Sequence, residues 1–235
     1  MHDDRRLVAL DKDGVFITAR KHSQLLQLSC HRNEAGWLLQ HPAQSEPLQI
    51  VAGMLSSRIT GSLWNDSLQA LHAGEEASAW LSRVLEMEVR IAVWERQSRF
   101  SNKYQLETSF SDASPILVTS EASIRQACEW AGIEPDTRRF RPNIVLDGVD
   151  AFAEDSWRRI RIGGVNLEVL DGCVRCVLTT VQPDTGQRHP QREPMVSLMK
   201  YHATETGQPL FGVNAKLVNS VDAKSISLGD AVEVS

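Results

Sequence analysis

The chain opens on short apolar runs separated by turn residues. Leu7-Val8-Ala9-Leu10 and Val15-Phe16-Ile17-Thr18 flank Asp11-Lys12-Asp13-Gly14, a turn sequence with a glycine available for positive φ, so this stretch predicts a β-hairpin. Between Gly74 and Met87 the period changes. Ala77, Trp80, Leu81, Val84 and Leu85 fall at the one-faced spacing of an amphipathic helix, with Glu75 and Glu76 suited to the positive end of its dipole. Such a face is expected to pack on a sheet. From Glu95 to Ser111 the sequence is polar with little periodicity and reads as a linker, dividing the chain into residues 1–95 and 96–235.

In the second half, Ser120 is a predicted N-cap, Ile124, Ala127, Cys128 and Ala131 line one helical face, and Gly132 ends the helix. Ile160, Ile162, Val165, Leu167 and Val169 alternate around Gly163-Gly164, which predicts a second hairpin. Cys173 to Thr180, continuing to Val181, reads as the next strand with its leading loop. A short helix follows Pro194 through Met195, Leu198, Met199 and Tyr201, with strands at 210–218 and 225–234. Many strands, few helices and few long crossovers predict a β-rich α+β chain built around a partly closed barrel.

Composition narrows the classes. With 235 residues, of which 42% are apolar, the chain can bury a full core. A formal charge of -5 argues against wholesale binding of nucleic acid, so any anion site is local. No apolar run approaches the roughly 20 residues of a membrane span. The start, Met1-His2-Asp3-Asp4, lacks the layout of a signal peptide, so a soluble, cytoplasmic protein is expected. Cys30, Cys128, Cys173 and Cys176 are too scattered for a secreted disulfide scaffold and are expected as reduced thiols. Cys30 is read as a small packed residue.

Chemistry concentrates at Cys173-Val174-Arg175-Cys176. Two thiols three positions apart fit half a zinc site, a redox pair, or one metal thiolate, and the plain alternative is two half-buried cysteines. A closed zinc site lacks a second Cys pair and a close His pair, and a thioredoxin-like site would open a helix where this sequence predicts strand. Arg141, beside Pro142-Asn143, and Arg175 offer guanidinium and amide donors of the kind that hold a phosphate or pterin; each taken singly also reads as a surface charge.

Beyond this point the residues carry a family resemblance. Ser111-Asp112-Ala113-Ser114-Pro115, Ser120-Glu121-Ala122-Ser123, Phe140-Arg141-Pro142-Asn143-Ile144-Val145 and Ala153-Glu154-Asp155-Ser156-Trp157 follow one another in order. Arg161-Ile162-Gly163, Cys173-Val174-Arg175-Cys176, Thr179-Thr180, Pro183-Asp184-Thr185-Gly186, Glu193-Pro194, Phe211-Gly212 and Leu228-Gly229-Asp230 come next. Together they resemble the MOSC proteins of the YcbX and mitochondrial amidoxime-reducing component type. Asp4-Arg5-Arg6 and Phe16-Ile17-Thr18-Ala19-Arg20 resemble the N-terminal β-barrel portion that accompanies such domains, so the likeness covers nearly the whole chain.

The resemblance implies a MOSC β-barrel with flanking helices, a molybdenum cofactor of the molybdopterin form, and reduction of N-hydroxylated compounds. Electrons would come from a separate donor, a ferredoxin-like protein, a cytochrome or a flavoprotein reductase. Cys176 falls at the family's metal ligand, and a soft thiolate suits such a metal. Arg5, Asp112, Ser114, Arg141, Asn143, Val174 and Arg175 would surround the cofactor, and Asp112 is the carboxylate nearest the proposed chemistry, although a turn-capping role fits it equally. Departures are also visible: Ala113 and Val174 replace a common threonine and serine, Val213 replaces a common glutamine, and the usual first strand with its Lys-Ser phosphate contact is not recognisable. Two alternatives stay open: a sulfur or cofactor carrier using a persulfide on Cys176, though without a recognisable pyridoxal-phosphate desulfurase domain, and a degenerate member that binds no metal.

Overall fold

The computed structural model describes residues 4–55, 57–112, 114–218 and 225–235. The chain forms two compact units, one of residues 1–113 with 183–187 and one of 114–182 with 188–235. Sequence position 113, where the family pattern is altered, lies outside the described residues.

In the first unit, β1 (Leu7–Leu10), β2 (Ser29–Arg32), β3 (Gly36–Gln40), β4 (Leu48–Val51), β5 (Arg58–Leu63) and β6 (Asp66–His72) precede α1 (Glu75–Leu85) and β7 (Arg90–Val93). One sheet runs β1-β7-β6-β5 and another β2-β3-β4. The apolar stripe of α1 is buried as its spacing predicts: Trp80, Leu81 and Val84 pack with Trp37, Leu39 and Ile50 of the three-stranded sheet and Ile91 and Val93 of β7. The helix stops where Glu86 turns left-handed. The first predicted hairpin is cut short. Asp11 Oδ1 accepts from the amides of Asp13 and Val15, making the turn, but β1 pairs along its length with β7, and the returning Val15-Phe16 makes isolated bridges to Ser62 and Leu10.

The polar stretch read as a linker carries its own structure. β8 (Phe100–Ser101) and β9 (Leu106–Glu107) form a small hairpin, and Arg99 is 2% exposed. Its charge is met by Asp66, whose Oδ2 accepts from Nε at 3.0 Å and from Nη2 at 2.7 Å. A buried guanidinium requires such a partner, and its polarity is what made the segment look open. Cys30, expected to be packed, is exposed on β2 because that strand buries little of its surface.

The second unit contains β10 (Ile116–Ser120), α2 (Glu121–Ala131), β11 (Ile144–Leu146), β12 (Arg159–Ile162), β13 (Val165–Val174), α3 (Met195–Tyr201), β14 (Leu210–Val218) and β15 (Val232–Val234). They build a six-stranded, nearly closed barrel-like sheet in the order β11-β10-β14-β13-β12-β15. β10 and β11 are parallel and joined through α2, so one crossover helix is present; the other pairs are antiparallel. Ser120 caps α2 by accepting from Ser123 N at 3.0 Å, and Gly132 ends it in the left-handed region. Gly212 is needed where β14 crosses close to β10: its φ is 70°, and a Cβ there would stand 2.7 Å from the Val118 carbonyl. The last strand is shorter than expected, because Ser227–Asp230 closes a turn before Val232. Val213 is 1% exposed among Ile116, Val118 and Ala215, which explains an apolar residue at that position.

Candidate functional site

The cysteine motif straddles the end of β13. Val174 is the last residue of the strand and pairs with Leu210, and the Arg175 amide donates to Pro209 O at 2.8 Å. Strand then gives way to a single 3-10 turn, Val177–Thr180, which Cys176 opens. This corrects the expected strand over 177–181. Thr179 Oγ1 donates to Cys176 O and Thr180 Oγ1 to Val177 O, so these β-branched residues meet carbonyls locally and need no ladder partner. Both thiols are half-buried and free. Cys173 Sγ accepts from Arg175 Nη1 at 3.2 Å. Val174 is 47% exposed and offers no hydroxyl.

Two arginines lace this loop to the segment that holds Arg141. Arg175 Nη2 donates to Phe140 O at 2.6 Å, and Arg139 Nη1 donates to Val181 O at 3.2 Å while its Nη2 bonds Gln182 Oε1. Phe140 is fully buried and stacks on Phe211 with ring centroids 3.8 Å apart, so its carbonyl is a fixed acceptor. Arg141 follows with φ 55°, a left-handed turn that redirects the chain before Pro142. The Nε atoms of Arg175 and Arg139 are both buried and lack a hydrogen-bond partner among the described residues. Arg139 was not singled out from sequence; its signal was the run Arg138-Arg139-Phe140-Arg141, in which nothing marks which arginine turns inward.

Asn143 and Ser114 are committed to the backbone of β10. Asn143 Oδ1 accepts from Leu117 N at 2.9 Å, and Ser114 Oγ lies 2.8 Å from the carbonyls of Ile116 and Ala215. Val174 pairs at Leu210, five residues along β14 from Ala215, a separation on the order of 16 Å at strand spacing. The structure therefore brings Cys173, Val174, Arg175, Cys176 and the Phe140-Arg141 turn together and sets Ser114 at a different stretch of the same strand.

Arg5 and Asp112 belong to the first unit. Arg5 has φ 50°, pairs with Asp4, and accepts from Phe110 N through its carbonyl at 3.0 Å. Asp112 is held on both oxygens: Arg20 Nη2 donates to Oδ2 at 2.9 Å and Trp64 Nε1 to Oδ1, with the Arg20 guanidinium 4.2 Å over the Trp64 ring. The remaining cysteine of the second unit, Cys128, is buried, and burial raises its thiol above the usual range, which makes it inert.

Chemically, this arrangement offers two half-buried thiols, of which Cys173 already accepts from Arg175, and two guanidinium groups with N–H donors to spare. Among the described residues no three His, Cys, Asp or Glu side chains converge on one point. A metal at Cys176 would therefore have to arrive with most of its ligands, as part of a larger group whose anionic oxygens suit the neighbouring guanidinium groups.

The comparisons place this architecture. A MOSC domain model matches residues 105–233, more than half of the chain, and a MOSC N-terminal beta barrel domain model matches residues 1–88. The chain belongs to the MOSC-domain family. Among its relatives, mitochondrial amidoxime-reducing component 1 of Mus musculus is 30% identical over 97% of this chain and 71% of that protein. The protein of that name in Danio rerio is 31% identical over 89% of this chain and 68% of its own length, and the one in Homo sapiens 29% over 97% and 72%. No helix among the described residues is long and apolar enough to cross a membrane.

Proposed function

We propose that this protein is a molybdenum-cofactor-dependent reductase of N-hydroxylated compounds such as amidoximes and hydroxylamines, supplied with electrons by a separate protein. The observation that carries the reading is a half-buried, undisulfided Cys176 thiol in the same loop as the Arg175 guanidinium, which is held in place by Phe140 O and Cys173 Sγ. The names of the relatives supply the substrate class.

A molybdenum cofactor supplies a two-electron couple able to take up oxygen from an N–O bond. Cys176 would hold the metal through its thiolate. Arg175 and Arg139 would meet the cofactor's anionic oxygens with the guanidinium N–H groups left over, since one N–H of each Nη is held by Phe140 O, Cys173 Sγ, Val181 O or Gln182, which fixes the direction of each guanidinium. Arg141 adds charge from the adjoining turn, while Ser114 and Asn143 hold the strand that supports it. Arg5 and Asp112 lie in the first unit and keep the roles that the family resemblance implies for them. Asp112 accepts on both oxygens, so its role is to orient rather than to donate a proton.

The test is elemental analysis of the full chain and of Cys176→Ala, both produced in a host that makes the cofactor, followed by amidoxime reduction with an artificial electron donor. About one molybdenum per chain, lost with the thiol together with activity, is the expected result. Metal-free protein in both cases would overturn the reading and leave a persulfide carrier or a degenerate member.

A further inference from the structure

At the C-terminal end of α3, His202 is held by two acceptors at once. Its Nδ1 lies 2.9 Å from Leu210 O and its Nε2 lies 2.6 Å from Asp155 Oδ2. A carbonyl oxygen and an ionised carboxylate accept only, so both contacts are hydrogen bonds when both ring nitrogens carry protons. The ring also stacks on Phe152, with centroids 4.2 Å apart. The charged groups acting on it, Asp155 and Glu154, both come from the Ala153–Ser156 turn; β14 contributes the Leu210 carbonyl. Glu154 is fully buried, accepts from Thr119 Oγ1 and Ser120 N through Oε1, and has no partner for Oε2 among the described residues.

What His202 grips is the backbone that supports the cysteine motif. Leu210 N donates back to His202 O at 3.0 Å, Leu210 is the ladder partner of Val174, and Pro209 O accepts the Arg175 amide. Between His202 and Leu210 the chain closes on itself through the bridge of Ala203 to Pro209 and the bond from Thr204 N to Gln208 O. The corner Pro209-Leu210 is therefore fixed on one side by His202 and holds the residues just before Cys176 on the other.

We propose that His202, as an imidazolium joining Asp155 to the Leu210 carbonyl, is a positioning residue that holds the Val174–Cys176 loop in register. Burial opposes the charge, but the bonds to Asp155 and Leu210 and the charges of Asp155 and Glu154 outweigh it and raise the ring's pKa above its ordinary value of about 6.5. A raised folded value means that the clamp is complete below about 6.5 and is lost as pH rises through the folded pKa. The loop is then tight in mild acid and looser in base.

The clamp stands whatever group Cys176 carries, and its test uses the full chain free of cofactor. Hydrogen exchange of the peptide covering Asp171–Cys176 is followed from about pH 6 to about pH 9 and corrected for the intrinsic rate. Wild type should lose protection by about tenfold or more across this range, and His202→Gln should show the low protection throughout. Equal protection of the two proteins at about pH 6, or a flat corrected profile for wild type, would overturn the proposal. If His202→Gln fails to fold by circular dichroism, Asp155→Asn keeps the ring and removes a charge: the transition must move to lower pH, and an unmoved transition refutes the clamp. Absence of molybdenum would sink the function proposed above and leave this exchange pattern unchanged.

Discussion

Arg99 in the first unit and Arg175 in the second are both inward-turned guanidinium groups, yet they are satisfied differently. Arg99 finds acceptors for Nε, Nη1 and Nη2: Asp66 takes two of the bonds, and the carbonyls of Ser109 and Ser111 take the others. Arg175 meets a carbonyl and a sulfur, but among the described residues its buried Nε is unmatched and no carboxylate bonds it. An unmatched Nε is not by itself a binding mark, since Arg90 of the first unit has one too; what separates Arg175 is its place beside the Cys173 and Cys176 thiols, where the proposed function puts an anionic group. On the proposed function, the first arginine reports on folding and the second on binding.

Removing one partner of the Arg99 pair gives the largest expected effect. The side chains of Arg99 and Asp66 are 1% and 9% exposed, so Asp66→Ala leaves a buried charge unpaired and should cost about 3–5 kcal/mol in denaturant unfolding, with no direct effect on any ligand held by the second unit. A loss below about 1 kcal/mol would show that the pair is solvated and that the contrast fails.

Arg175→Met comes next, at about 1–2 kcal/mol for the bonds to Phe140 O and Cys173 Sγ, since no buried carboxylate is abandoned. Its main consequence should lie in molybdenum retention during dialysis, falling at least about tenfold. If retention is unchanged while stability falls as far as in Asp66→Ala, Arg175 is a structural arginine like Arg99.

The same contrast explains what could be read from the sequence. The three helices were legible because local signals agree: the α1 stripe of Ala77, Trp80, Leu81, Val84 and Leu85 has one period, and Ser120 and Gly132 punctuate α2. Strand partners were legible where a tight turn joins them, as Gly163-Gly164 joins β12 to β13, but not where β1 pairs with β7 some eighty residues away, a choice no local pattern encodes. Arg99 looked like part of a linker because its partner lies 33 positions earlier. Val177–Thr180 looked like strand because β-branched residues suit strands, and the hydroxyl bonds that shape the 3-10 turn leave no periodic trace. At the site, the cysteine motif and Arg175 stood out by spacing and donor chemistry and the family resemblance chose among their readings, whereas Arg139 did not stand out, because its inward turn is decided by Val181 and Gln182.

Arg138 and its neighbour Arg139 repeat the comparison on a smaller scale and yield the smallest effect. Arg138 bonds Asp136 through Nε and Nη2, whereas Arg139 keeps an unmatched Nε. Burial pushes the Asp136 carboxyl up, but the bonds from Arg138 and the charges of Arg138 and Arg139 outweigh it and hold the carboxyl below its ordinary range. A depressed folded pKa means that the stabilisation is present above the unfolded value of about 3.9 and is lost as pH falls through the folded one. Because Arg138 is 58% exposed, the pair is screened, and asparagine still caps the turn, so Asp136→Asn should cost less than about 1 kcal/mol at about pH 7. Urea unfolding of both proteins down to about pH 2 should show that gap closing. A gap of constant size would mean that Asp136 acts through its cap on the Arg138 amide alone, and that the ion pair beside the Arg139-Phe140-Arg141 turn contributes nothing to holding it in place.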